Sequence, residues 1–346
     1  MLLKDVICEP KKKKPNGYIY LVLPILFWSI VPSAAKFALK ELTHLQILFY
    51  NNVIGIVTML AIIIAQDKTH HFKSYRLKDY AIMFGMGALG LFLYYTCLYG
   101  SFSYAPVAQA NILNYLWPAF VVIFSIIFHK QRFNHKTLIG IGLSFFGAFI
   151  IFTRGDFTSF SNEYTKGYIL AFCAAVCTAL FSVLGKKLPY ERMTSMFVYY
   201  VASLVLVTPT MLMHSTFVVP RQMPTVFSLL FLGVCATALG FVFWFKALHN
   251  CCTYKMANLV YFNPFFALIF VYFFHKESIP LSAAFGLLFN LAGVFFQISN
   301  KVHETSPRTP GDNLFRRPPA PPSLQTFNPG CRLPVPASPR LGLANV

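Results

Sequence analysis

The chain has 346 residues, of which 56% are hydrophobic, 17% aromatic and only 12% charged, and its formal net charge is +18. Soluble globular domains carry about 25% charged residues, so this composition excludes an ordinary soluble protein. It is typical of a membrane protein, in which long apolar segments alternate with short polar ones.

Ten apolar segments of 17 to 24 residues follow one another along the chain. A helix rises about 1.5 Å per residue and the bilayer core is about 30 Å thick, so segments of this length can cross a membrane. We expect an all-α integral membrane protein whose first segment is retained in the mature chain. The segments, called spans 1 to 10, lie at 18–38, 45–65, 80–100, 105–128, 137–153, 167–184, 195–213, 226–247, 256–274 and 281–299.

The basic residues are distributed unevenly between the spans. If the basic N-terminal segment, residues 1–16, is cytoplasmic, then 23 of the 29 Lys and Arg residues lie on the cytoplasmic side and six on the other. This asymmetry obeys the positive-inside rule. We therefore expect both chain ends in the cytoplasm and a location in the cell membrane. The net charge of +18 is then explained by the membrane topology, and no nucleic-acid partner is expected.

The C-terminal segment, residues 303–346, differs sharply in composition from the rest of the chain. It is rich in proline and has no apolar periodicity. Such a segment cannot form a packed core, so we expect a disordered tail. So abrupt a change is also compatible with a non-native extension, and the tail is left out of the functional reasoning.

The sequence repeats itself internally. An offset of 146 residues pairs prolines, glycines and the tripeptide FHK, and near the start an offset of 150 pairs two lysines. The clearest pairs are Tyr115 with Tyr261, Pro118 with Pro264, Gly147 with Gly293, 128–130 with 274–276, and Lys36 with Lys186. Each copy, at 17–153 and 154–302, holds five spans. Because five is odd, the second copy enters the membrane in the opposite direction, which is the inverted repeat of alternating-access transporters.

These features resemble the drug/metabolite transporter superfamily, EamA type, over about residues 17–300. The resemblance rests on the two repeats of five spans, on Pro118 and Pro264, and on the polar turns HKQRF (129–133) and HKESI (275–279). NYLWP at 114–118 is similar to the fourth span of the amino-acid exporters of this family. The resemblance implies a substrate cavity lined by spans 1, 3, 4, 6, 8 and 9. The family often has a glutamate in each turn, which is Glu277 here but Gln131 in the first half.

Span 4 carries polar amides in apolar surroundings. Asn111, Asn114 and Pro118 recur at i, i+3 and i+7, so they share one helix face. Asn114 lies about 13 Å into the span, where an unsatisfied amide facing lipid would cost several kcal/mol. The face therefore points into the bundle. Two interpretations stay open: the amides bridge neighbouring helices, or they bind a substrate.

Other residues are candidates for the same cavity. Asn258 and Tyr261 occupy the equivalent face of the second half. For the aromatic residues, core packing or an interfacial belt is the alternative role. The aromatic candidates are Trp28, Tyr95, Tyr99, Trp117 and Trp244.

The charged residues restrict the mechanism. All eleven acidic residues lie in loops, termini or span ends, which disfavours proton-driven export of cationic drugs and favours facilitated transport or exchange. Lys36 and Lys186 lie at opposite membrane faces. They either extend to the interface or guide a carboxylate or phosphate at the two mouths.

The sequence thus predicts a transporter of small metabolites, most consistent with amino acids or compounds derived from them. Alternatives are nucleoside-bearing or phosphorylated metabolites, such as S-adenosylmethionine or a sugar phosphate, and a non-transporting membrane scaffold or receptor. No HExxH or GxSxG motif and no paired cysteine pattern occurs, so neither enzyme activity, a metal nor a cofactor is expected. The expected partners are a small-molecule substrate and the bilayer. The oligomeric state stays open, and a monomer is plausible.

Overall fold

The computed structural model describes residues 19–129, 135–153, 163–186, 188–250 and 262–305. Within these ranges every regular element is a helix. Six helices are long and apolar enough to cross a bilayer, and four further apolar helices are shorter. Together they account for all ten predicted spans, and the all-α integral membrane fold is confirmed.

The helices follow the predicted spans closely. The first half consists of Ile19–Ala38 (span 1), His44–Ala65 (span 2), the short connecting helix His70–Ser74, Leu77–Tyr104 (span 3), Val107–Asn114 and Trp117–His129 (span 4), and His135–Phe152 (span 5). The second half consists of Thr165–Gly185 (span 6), Arg192–His214 (span 7), Met223–Leu230, Phe231–Leu239 and Gly240–Asn250 (span 8), Asn263–His275 (span 9), and Leu281–Thr305 (span 10).

The two halves repeat each other element by element. The helices that begin at Trp117 and His135 recur 146 residues later, at Asn263 and Leu281, and the segments that begin at Leu77 and Tyr94 recur at Met223 and Gly240. Spans 3 and 8 both contain a π-helical segment, at Ala88–Leu93 and Phe231–Leu239. When the first segment is shifted by 146 residues, it falls within the second. Because π-helices are rare, their recurrence is strong evidence for the repeat.

Span 4 and its counterpart in span 9 owe their shape to proline. In span 4 the helix ends at Asn114, and a new helix begins at Trp117 after a turn at Tyr115 and Leu116. Pro118 is the second residue of that new helix, and Pro264 is the second residue of Asn263–His275. Proline is well tolerated in a first helical turn, where its missing N–H has no partner to lose.

The equivalent spans 5 and 10 pack directly on each other through glycine. A Cβ on Gly147 would collide with the carbonyl oxygen of Gly286, and a Cβ on Gly293 with the carbonyl oxygen of Gly140. Along span 5 the contacts run from Gly140 to Gly147, while along span 10 they run from Gly293 to Gly286. The two helices are therefore antiparallel, as an inverted repeat requires.

The segments between spans gather at two opposite ends of the bundle. At one end, which we call the far end, Lys36 pairs with Glu277, and Glu41 accepts hydrogen bonds from the loop between spans 7 and 8. At the other, which we call the near end, Lys68 after span 2 pairs with Glu191 before span 7. This grouping is the up-and-down order of successive membrane spans.

Candidate functional site

A cavity of about 740 Å³ lies inside the bundle. Spans 1, 3, 4, 6, 8 and 9 all contribute to its wall, as the resemblance implied, and span 7 contributes as well through Ser195, Met196 and Tyr199. Ligand pockets for small molecules measure about 300–1,000 Å³, so the cavity can hold a metabolite.

The structure brings most of the predicted site residues together. Those that line the cavity are Trp28, Tyr95, Asn111, Asn114, Trp117, Trp244 and Lys186. Pro118 and Pro264 do not line it; each adjoins a lining residue, Trp117 or Asn263.

Two of the predicted site residues, Tyr99 and Lys36, lie elsewhere in the described structure. Tyr99 is 1% exposed and packs behind the wall, with its ring centroid 5.3 Å from that of Tyr95. Lys36 lies at the far end in an ion pair. Asn258 and Tyr261 lie outside the described residues, so their predicted role stays a prediction.

The two amides of span 4 present polar atoms that the described part of the protein does not satisfy. Asn111 and Asn114 are each 6% exposed. Within the described residues, Asn111 Nδ2 and Asn114 Oδ1 have no hydrogen-bond partner. Asn114 Nδ2 donates to the hydroxyl of Tyr94 at a long 3.5 Å. Because buried polar atoms are normally paired, this donor and acceptor are candidates for pairing with a ligand or with residues outside the described ranges.

An aromatic cluster from spans 1 and 8 forms another part of the wall. The ring centroids of Trp28 and Trp244 are 5.6 Å apart, and Phe241 lies at the same distance from Trp28. Trp28 Nε1 donates to the carbonyl oxygen of Ala236, at 3.0 Å, inside the π-helical segment of span 8. π-helical geometry interrupts the regular hydrogen-bond ladder, and the indole N–H bonds a carbonyl there. This bond fixes the orientation of the Trp28 ring.

The near end of the cavity is open and basic. Lys186, Tyr190 and Arg192 line it, and both cations are exposed. The neighbouring carboxylate, Glu191, is already engaged: Oε1 accepts from Lys68 Nζ and Oε2 from the backbone N–H of Thr194, each at 2.8 Å. Burial opposes its ionisation, but these hydrogen bonds outweigh burial and lower the pKa of Glu191 below its ordinary value. Among the described residues neither Lys186 nor Arg192 forms an ion pair, although Asp79 accepts a hydrogen bond from the hydroxyl of Tyr190 at 3.1 Å.

The far end is closed by contacts among spans 1, 4, 6 and 9. Lys36 Nζ lies 2.7 Å from Glu277 Oε2, and the ring of His275 is hydrogen-bonded to the carbonyl oxygen of Ser33 at 3.0 Å. The hydroxyl of Tyr168 donates to Gln109 Oε1. Deeper in the bundle, Ser29 Oγ donates to Asn263 Oδ1 at 2.8 Å. Among the described residues, the cavity therefore reaches exposed residues at the near end and is separated from the far end by these contacts.

Several wall residues were not identified from the sequence. Asn263 could have been, since it is the repeat mate of Trp117, one of the predicted site residues. Arg192 and Tyr199 gave no signal, because an arginine or tyrosine near the start of a span is ordinary at a membrane interface. Only the packing of span 7 against the cavity shows their position.

A bundle of ten spans in two inverted repeats, with a cavity that reaches the near end among the described residues, defines a membrane transporter. The model of the EamA-like transporter family matches residues 15–153 and 165–299, one match to each repeat, and the chain belongs to this family.

Comparison with characterised and uncharacterised relatives gives the same class. An uncharacterized transporter of Archaeoglobus fulgidus is 26% identical over 83% of this chain and 98% of its own. The pseudopaline exporter CntI of Pseudomonas aeruginosa is 26% identical over 74% of this chain and 84% of its own. The aromatic amino acid exporter YddG of Ancylobacter novellus is 29% identical over 29% of this chain and 36% of its own. One solved crystal structure, with 18% identity, covers 85% of this chain and all of its own at a TM-score of 0.59, which shows a shared fold.

Proposed function

We propose that the protein carries small zwitterionic metabolites, amino acids or compounds derived from them, across the membrane by alternating access. The observation that supports this most directly is the pair of cavity-lining amides, because Asn111 Nδ2 and Asn114 Oδ1 have no hydrogen-bond partner among the described residues. A carboxylate supplies an acceptor and an ammonium group supplies donors. An amino acid can therefore satisfy both amides at once.

The charge distribution of the cavity favours the same class of ligand. No Asp or Glu lines the cavity among the described residues, so a bare cation would lack a counter-charge. A zwitterion is neutral overall, and its ammonium end can lie over the aromatic faces of Trp28 or Trp244, a contact worth about 0.5–2 kcal/mol. Lys186 and Arg192 at the mouth attract its carboxylate end.

The same two cations support a second candidate class, the nucleoside-bearing or phosphorylated metabolites. A phosphate binds well to a lysine and an arginine, and the aromatic wall can stack a base. The zwitterion is preferred because it also explains the amide pair. Two relatives are named exporters, of pseudopaline and of aromatic amino acids, which agrees with an amino-acid-like substrate for this chain.

We further propose the orientation and limits of the transporting unit. The near end faces the cytoplasm, as the distribution of basic residues predicts, so the open cavity is positioned to collect substrate for export. Residues 17–153 and 154–302 are the two functional halves. Residues 1–16 and 303–346 flank them on the cytoplasmic side.

A matched set of three ligands tests the substrate class. The three compounds all carry a phenyl ring and differ in charge. Phenylalanine is a zwitterion, phenethylamine is a cation and 3-phenylpropionate is an anion. A ligand that binds the folded state raises the melting temperature of the purified protein. We expect phenylalanine to raise it more than either single-charge compound does. Equal shifts for all three would contradict the zwitterion assignment, and a shift with AMP alone would favour the phosphorylated class.

A further inference from the structure

Glu277 holds two different parts of the far end at once. Its Oε2 accepts from Lys36 Nζ of span 1 at 2.7 Å, and its Oε1 accepts from the backbone N–H of Ala108 at 3.3 Å. The side chain of Glu277 is only 11% exposed, against 32% for Lys36. A carboxylate that is shielded in this way depends on its partners, because removing one of them leaves a charge uncompensated.

Ala108 connects this carboxylate to the cavity. It lies in the first turn of the helix Val107–Asn114, where backbone N–H groups have no partner within the helix and carry partial positive charge. The same short helix carries Asn111 one turn later and Asn114 at its end. Glu277 therefore anchors the start of the helix that presents both cavity amides.

Two other acidic residues hold a neighbouring segment, one at each end, so their contacts do not distinguish the two ends. Glu41 and Glu191 are equivalent at the 150-residue offset. Glu41 accepts from the backbone N–H of Arg221 at 2.6 Å at the far end, and Glu191 accepts from Lys68 at the near end. Since both contacts are present in one and the same structure, neither accounts for the difference between the two ends.

The lysines do distinguish the two ends. Lys36 and Lys186 are also equivalent at the 150-residue offset, yet Lys36 is paired with Glu277 while Lys186 lines the open mouth. No ion pair of Lys186 is present among the described residues. The repeat equivalent of Glu277 is Gln131, which lies outside the described residues and carries no charge that could pair with Lys186.

We propose that Glu277 is a one-sided latch: the far end opens only when its bonds to Lys36 and to the N-terminus of the cavity helix separate, and at the near end Gln131 stands in place of the repeat-equivalent carboxylate. The ion pair thus favours the state that is open at the near end. Release of Ala108 lets the helix Val107–Asn114 shift, so opening of the far end changes the position of both cavity amides. This role holds for any substrate and does not depend on the proposed substrate class.

The test measures access from the far side without any substrate. Val31, a cavity-lining residue of span 1, is replaced by cysteine in the full-length protein, which is reconstituted in sealed vesicles. A membrane-impermeant maleimide is added from the far side, and labelling of residue 31 is followed by mass spectrometry. Glu277→Gln keeps an acceptor for Ala108 but removes the ion pair. Lys36→Gln removes the same pair from the other partner.

We expect either variant to increase the far-side labelling rate about tenfold or more, because breaking a shielded ion pair removes over 1.4 kcal/mol of preference for the closed state. The charge-exchanged variant K36E/E277K restores the ion pair but offers Ala108 no acceptor, so it should label more slowly than either single variant and faster than the parent. Lys68→Gln, which breaks the near-end pair, serves as the matched control and should leave the rate unchanged. Parent-like labelling in both single variants would overturn the latch, as would a charge-exchanged variant that labels as fast as they do.

Discussion

Trp28 of span 1 donates its indole N–H to the carbonyl oxygen of Ala236, 3.0 Å away in the π-helical segment of span 8. This bond joins the two repeats within one part of the cavity wall and orients one of its largest aromatic faces. Glycine at position 240 leaves room for the indole ring, because a Cβ on Gly240 would lie only 3.1 Å from the same indole nitrogen. The cavity wall and the irregular helix are thus parts of one structural unit.

Replacing Trp28 with phenylalanine should weaken both stability and binding. The variant keeps an aromatic ring but leaves the Ala236 carbonyl without the indole donor, and a buried unpaired acceptor costs about 1–3 kcal/mol. We expect a lower melting temperature and weaker binding of a zwitterionic ligand. Trp244→Phe is the control, because no hydrogen bond of the Trp244 indole is present in the described part of the structure. Equal losses in both variants would show that the Ala236 bond has no special role.

Replacing Asn114 with leucine should weaken binding without loss of stability. Among the described residues Asn114 Oδ1 has no partner and the bond of its Nδ2 is long, so we expect the ligand-free protein to lose little. Binding should fall by about 1.5–3 kcal/mol, or about 10- to 150-fold in the dissociation constant. The control is Asn52→Leu, which breaks the 2.9 Å bond to Ser203 outside the cavity and should lower stability alone. If Asn114→Leu is destabilised and binds normally, the amide bridges helices and is not a ligand group.

Removing the charge of Lys186 or Arg192 should weaken transport of ligands that carry an anionic group. Their exposure means that each contributes mainly through attraction of an anionic group at the mouth. Lys186→Gln or Arg192→Gln should raise the KM for a zwitterionic or anionic substrate, most strongly at low ionic strength. Lys186→Arg should retain activity because the charge remains. KM is measured by uptake into vesicles. Unchanged KM values in both Gln variants would show that the two cations only extend to the membrane interface and do not attract substrate.

The contact between spans 5 and 10 should tolerate no added methyl group at Gly147. A Cβ there meets backbone atoms of Gly286 and Asn290, and overpacking of this kind costs about 1–3 kcal/mol. Gly142 lies on the same helix, and a Cβ there meets nothing within 4 Å. Gly147→Ala should therefore lower the melting temperature, while Gly142→Ala should leave it level or raise it. A reversed order would contradict the antiparallel packing of the two spans.

Acidification should release the near-end contact between Lys68 and Glu191. The hydrogen bonds of Glu191 lower its folded-state pKa, so its stabilising effect is complete above the ordinary value of about 4.3 and is lost as the pH falls through the lowered pKa. The melting temperature should drop in that range. Glu191→Gln should show a smaller drop, since it does not titrate. Parallel pH profiles for the two proteins would remove Glu191 as a contributor.

The sequence predicted those features that stand out against an apolar background. Asn111 and Asn114 are conspicuous in span 4 because unpaired amides are costly in a membrane, and the repeat is visible because Pro118 and Pro264 align. The contact of Lys36 with Glu277 could not be predicted in the same way, since 241 positions separate the two residues. The π-helical segments were also missed, because their sequences are as apolar as the helices around them.

Counterflow in vesicles that contain only this protein tests most directly whether it transports a zwitterionic metabolite through the cavity. The vesicles are loaded with unlabelled phenylalanine, and entry of the labelled compound is compared between the parent protein and the variant N111L/N114L. We expect rapid exchange by the parent protein and little exchange by the variant at equal amounts of folded protein. Equal exchange by both proteins, or entry no faster than in protein-free vesicles, would contradict it.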